Sequence, residues 1–188
     1  PSGSPPCLVM AMICVLTGPV VAAAGEGRTW RQRAELQPVV TAAANASAPP
    51  LTFTAPEGFA VERLFVVPQE ELGSWVSLAT DPRGRLIASD EGGKGLARIT
   101  PAALDGSTET VVEKIPVPIT GAQGLLWAFD ALYVVCNGGT GSGLYRVTDS
   151  DGDDTLDAVE KLKAFKGGGE HGPHNILLGP DGETLFII

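Results

Sequence analysis

Cysteine, histidine and aromatic residues are all scarce in this chain, and each shortage removes a class of protein. Three cysteines occur in 188 residues, and two of them, Cys7 and Cys14, lie in the apolar N-terminal stretch, leaving Cys136 alone in the rest. A single thiol closes no intrachain disulfide, so a disulfide-stapled scaffold is excluded. With "LYVVCNGG" around it, Cys136 reads as a small buried hydrophobe. No C-x-x-C-H occurs, so this stretch attaches no haem covalently. There are two histidines, His171 and His174, and any imidazole chemistry must come from them. Aromatics make up 6% and charged residues 19%, against 24 glycines and 15 prolines. That balance argues for a loop-rich β protein rather than a helical bundle. The formal charge of −9 is spread over the chain without a basic patch, which excludes nucleic acid as a partner.

What is present divides into three parts. Residues 1–24 contain "CLVMAMICVLTGPVVAAA", an apolar core with a Gly-Pro break and a tail of small residues. It reads as a signal peptide whose start lies before Pro1, cleaved near Ala24; an uncleaved membrane anchor is the alternative. Export to a periplasmic or membrane-associated location follows. Residues 25–50, rich in Ala, Pro and small polar residues, read as a linker. Asn45-Ala46-Ser47 matches a glycosylation sequon.

From Leu51 to Ile188 short β-type runs alternate with Gly, Pro and Asp, and connectors such as "TDPRGR" and "GPDGET" carry β-turn chemistry. The runs repeat. "SWVSLATDPRGRLIASDEGGKGLARI" aligns with "GAQGLLWAFDALYVVCNGGTGSGLYRV", and "HNILLGPDGETLFII" opens a third copy; Leu86, Leu132 and Leu185 are equivalent, 46 and then 53 residues apart. A period of roughly 40–50 residues of four strands marks a propeller blade. We therefore expect an all-β chain that is the N-terminal fragment of a β-propeller, about two and a half blades, truncated at its C-terminal end. Its strands should lie near residues 75–79, 85–89, 95–99, 110–114, 124–128, 131–136, 143–147, 160–165, 174–178 and 184–188.

Because strands alternate in direction, the start of each first strand and the end of each second strand share one end of the fold. That end should gather His171, Glu170 and His174 with Asp90, Glu91, Asn137, Gln123 and Ser74. Converging polar groups at a channel mouth are a natural binding site, and histidine is the usual general base near neutral pH. An H-x-x-H pair in a loop lacks the helical register that brings two imidazoles to one metal ion.

"PEGFAVERL", "GSWVSLATDPRGRLIASDEGG", "GAQGLLWAFDALYVV" and "GEHGPHNILLGPDG" together resemble the sorbosone and soluble glucose dehydrogenases, and most closely the exported, haem-linked dehydrogenase-like proteins of planctomycete-type bacteria. The resemblance covers residues 51–188 and implies a six-bladed propeller. It also implies a pyrroloquinoline quinone cofactor, a sugar or aldehyde substrate and a c-type haem domain or other electron acceptor outside this fragment. In that family a histidine eight residues before the "GPD" turn is the catalytic base. His171 stands eight before Gly179 and takes that role by resemblance, with His174 beside it. The family carries an arginine four residues after the base, where this chain has Asn175. Gln123, Asn137 and Asp90 are the candidate cofactor-binding residues.

"DSDGDDTLDAVE" puts Asp149, Asp151, Asp153, Thr155, Asp157 and Glu160 at positions 1, 3, 5, 7, 9 and 12 of a calcium loop. Position 6, which should be Gly for the sharp turn, is Asp154. The loop should join a third strand to a fourth, at the end opposite the histidines, and any ion there should be structural. Three readings follow: a quinoprotein-like dehydrogenase, a non-catalytic propeller binding carbohydrate or protein within a larger haem-containing protein, and a hydrolase using channel calcium held by Asp90, Glu91 and Asn137.

Overall fold

A computed structural model describes residues 54–61, 63–103, 107–169 and 171–188, together with the backbone of Cys14–Leu16. The expected signal peptide and linker otherwise lie outside the described residues, as do the sequon and Glu170. Strand β1 (Cys14–Leu16) pairs antiparallel with β2 (Phe59–Val61).

The body of the chain is β. Strands β3 (Trp75–Thr80), β4 (Leu86–Asp90), β5 (Leu96–Thr100) and β6 (Val111–Lys114) form one four-stranded antiparallel meander. Strands β7 (Ala122–Ala128), β8 (Ala131–Cys136), β9 (Gly143–Thr148) and β10 (Ala158–Ala164) form a second, and β11 (Ile176–Leu178) pairs with β12 (Leu185–Ile187). Among the described residues no sheet closes into a barrel. After β2, Phe65 and Val67 pack on the first sheet beside Leu72, which ends a single helical turn, α1 (Gln69–Leu72).

The repeat read from the sequence is a repeat of register. Leu86 pairs with Thr80 and Ile99, Leu132 with Trp127 and Val147, and Leu185 with Leu178. Each first strand of the two complete sheets carries a register shift at the same place, between Trp75 and Ser77 and between Ala122 and Gly124. Val76 and Gln123 are the extra residues. Bulges of this kind bend a strand and re-aim a side chain.

The sheets stack face to face. Ala79, Ile87 and Leu96 of the first, with Ile119 of the connection between β6 and β7, meet Leu125, Leu132, Val134 and Val147 of the second. On the second sheet's other face, Tyr133, Val135 and Leu144 meet Ile176, Leu185 and Ile187. All six residues of β8 are buried because both of its faces are covered, which explains why "ALYVVC" is apolar throughout instead of alternating. Cys136 is fully buried there, and burial pushes its thiol up to about 11, the charge of Lys161 opposing. The sheets approach most closely at their first strands: β3 lies against β7, and β7 against β11. Leu125 N–H donates to Ser77 Oγ at 3.2 Å. At the position equivalent to Ser77, Gly124 leaves room for the neighbouring chain, since a Cβ there would stand 2.9 Å from Asn175 Cα.

Candidate functional site

Antiparallel order brings the start of β3 and β7, the end of β4 and β8 and the loop before β11 to one end of the stacked sheets. Backbone bonds tie that end together. Glu91 N–H donates to Ser74 O at 3.2 Å, Gly121 N–H to Gly92 O at 3.0 Å, and Asn137 N–H to Gly121 O at 2.9 Å. Asp90, Gln123, Asn137, His171 and His174 thus share one edge, as the strand reading requires.

Their side chains are not equivalent. Asp90 is 3% exposed; its Oδ1 accepts from Ser74 N–H at 2.7 Å and its Oδ2 from Lys94 N–H at 2.8 Å. Gly73 and Gly92 pack on the same carboxylate. Its charge is therefore spent on two backbone donors of its own loop. Asn137 is 8% exposed, and its Nδ2 donates to Gly169 O at 2.6 Å. Gln123 is half-buried in its bulge.

Both histidines are exposed and hang from different frames. Gly168 N–H donates to His171 O at 3.1 Å and His171 N–H returns to Gly168 O at 3.4 Å, closing a tight turn. His174 N–H donates instead to Ile188 O at 2.7 Å, joining the third sheet. Buried Pro173 lies between them.

The acidic loop runs from β9 to β10, at the opposite end. Among the described residues, Asp149, Asp151 and Asp153 bring carboxylate oxygens within 4.8 Å of one another, close enough to share a hard cation. Asp157 turns to Ser150, accepting from its N–H at 3.0 Å and its hydroxyl at 2.9 Å, and Glu160 pairs with Arg146 at 2.7 Å. Thr155 N–H donates to Asp153 Oδ1 at 2.7 Å.

Asp154, the departure from the glycine of a calcium loop, explains itself here. It takes the left-handed φ of 75° that position needs, and its carboxylate leaves the loop for Arg83 and Arg85 of the turn between β3 and β4 and Arg98 of β5. Arg85 donates from Nη1 and Nη2 to the two oxygens, Arg83 reaches Oδ2 at 2.6 Å, and Arg98 Nη1 donates to the Asp154 carbonyl at 2.7 Å. Arg85 Nε also pairs with Asp81 at 2.6 Å, and Arg98 with Glu113 at 3.3 Å. Burial would raise the Asp154 carboxyl, but the Arg85 hydrogen bond and the charges of Arg85, Arg98 and Arg83 hold it below the usual carboxylate range.

A cavity of about 230 Å³ lies in this region, lined by the three arginines, Trp127, Asp149 and Asp154 among others. Of these lining residues, the sequence pattern singled out Asp149 as a calcium ligand and placed no site on the arginines. The signal available was Asp154 itself, a bulky residue where the loop pattern wants glycine.

No family model, no curated protein and no solved structure matches the chain.

Proposed function

We propose that the chain is part of a six-bladed β-propeller in an exported dehydrogenase that oxidises a sugar or an aldehyde, with His171 as its general base. One observation carries the reading. Successive four-stranded meanders fan out from neighbouring first strands, and the histidine loop emerges at the same end as the Gln123 bulge and the end of β8. An exposed imidazole at that rim can take the proton of a substrate hydroxyl or aldehyde hydrate; His174 lines the entrance beside it.

Asp90 does not suit a quinone, because both of its carboxylate oxygens serve the protein's own backbone, whereas Asn137 spends its Nδ2 on Gly169 O and leaves Oδ1 without a partner among the described residues. Contacts to pyrroloquinoline quinone would then fall to Gln123 and to residues beyond those described; the quinone, when bound, would supply the two-electron acceptor for the substrate's hydride, and a c-type haem domain would be the electron acceptor in turn. Calcium belongs to Asp149, Asp151 and Asp153, far from the base, where it would stabilise the loop.

The test offers the full-length protein pyrroloquinoline quinone and calcium, then an aldose and sorbosone panel with an artificial electron acceptor. Turnover that disappears in His171→Ala is the expected result. Quinone-dependent turnover that survives this substitution removes His171 from the chemistry.

A second reading, a propeller that binds carbohydrate or protein without chemistry, is favoured by one observation: the buried Asp90 carboxylate at this end is already committed to two backbone donors. Saturable sugar binding by calorimetry without turnover or quinone binding would select it.

A further inference from the structure

We infer that Asn137 is a positioning residue: its carboxamide latches the glycine-rich turn before the third sheet to the end of β8, and so sets where His171 stands. This rests on the reading of His171 as a site residue.

The loop Lys166-Gly-Gly-Gly-Glu-His-Gly172 has little of its own to order it. Ordering one residue's backbone costs roughly 1–2 kcal/mol, and glycine loses more freedom than other residues. Two side chains of the loop between β8 and β9 offset that cost. Ser142 Oγ donates to Gly167 O at 2.8 Å, and Asn137 Nδ2 donates to Gly169 O at 2.6 Å. Between and beyond these points the reciprocal Gly168–His171 bonds close the turn. His171 therefore takes its position from the second sheet.

The glycines serve the latch in return. A Cβ on Gly172 would collide with the Asn137 carboxamide, and one on Gly167 would stand 3.4 Å from Asn137 Oδ1 and 2.9 Å from Gly172 Cα. Asn137 Oδ1 is buried and has no partner among the described residues. The group is thus oriented by its donor side, toward the loop carbonyl. That arrangement suits a residue holding a loop, and a carboxylate in its place would face a carbonyl with no proton to offer.

His174 hangs from Ile188, so the latch controls one histidine and leaves the other alone. The two imidazoles can be read separately in histidine-labelled protein, together with amide hydrogen exchange by NMR. In Asn137→Ala, the Gly168 and His171 amides should exchange about tenfold faster, as expected for loss of one hydrogen bond to a buried group. The His171 ring resonances should shift while those of His174 stay.

Should Asn137→Ala lose its fold, as seen by tryptophan emission, Asn137→Asp preserves the shape, removes the donor and must give the same faster exchange. Unchanged exchange at Gly168 and His171 in the folded variant overturns the inference. So does turnover lost with the turn unmoved, which would make Asn137 a ligand-contacting residue. Neither exchange nor ring resonances need substrate, so failure of the dehydrogenase reading is visible separately in the turnover assay.

Discussion

Asp154 grips Arg85 with both carboxylate oxygens, at 2.6 and 2.7 Å, across the junction of the first and second sheets. The two residues are 69 positions apart, and the pair fastens the loop between β9 and β10 to the turn between β3 and β4. Arg98, with a side chain 4% exposed, and the outlying Arg83, at 56%, complete the cluster.

Removing Asp154 should therefore loosen the sheets from each other. Arg85 would keep Asp81, and Arg98 would keep Glu113, so the loss falls short of a bare buried charge. Asp154→Ala should cost about 2–3 kcal/mol in urea unfolding. A loss below about 0.5 kcal/mol would mean that the cluster is a surface network with no bearing on stability.

The same carboxylate makes the fold acid-sensitive. Burial opposes ionisation, the Arg85 hydrogen bond and three guanidinium charges favour it, and the net shift is downward. A carboxyl depressed in the folded state adds stability at pH values above its unfolded value of about 3.9. That contribution is lost as pH falls through the lower native value. Unfolding free energy measured from pH 6 downward should decline less steeply in Asp154→Ala than in the parent. Parallel curves would rule Asp154 out as a contributor.

Gly124 sets the spacing between the second and third sheets. Alanine there meets Asn175 Cα at 2.9 Å and the backbone of Ile176 at 3.1 Å, and neither can move like a side-chain end. The substitution should cost about 1–3 kcal/mol. It should also disturb the His174 resonance, since Asn175 follows His174 directly. A neutral Gly124→Ala would show that the first strands tolerate wider separation.

Calcium should raise the melting temperature through Asp149, Asp151 and Asp153, because a ligand bound only to the native state stabilises it by mass action. Chelator should reverse the gain. Asp151→Lys should lower stability in calcium and abolish the gain, with turnover unchanged because the loop lies at the end opposite His171. A variant of equal stability and no turnover would reverse that assignment.

Much of the strand content could be read from the chain, because period, turn residues and repeat length are local. "TDPRGR" and "GPDGET" form turns in which Asp81 Oδ1 accepts from Arg83 and Arg85 N–H and Asp181 Oδ1 accepts from Glu183 and Thr184 N–H. Those bonds reach four residues or fewer, within the range that a motif encodes. Beyond Val61, Phe65 and Val67 pack on the first sheet outside any named strand, an arrangement set by the sheet beneath them.

The sequence by itself determined which residues become the strands from β3 onward, that these repeat, and that polar residues gather at strand ends, since alternation and turn chemistry need only near neighbours. Tertiary structure decided what those polar residues do. Asp90 turns inward to Ser74 and Lys94, Asn137 to Gly169, and Asp154 away from its own loop to Arg85. Each chooses between a ligand and the protein itself by distances and burial that exist only once separate strands have met.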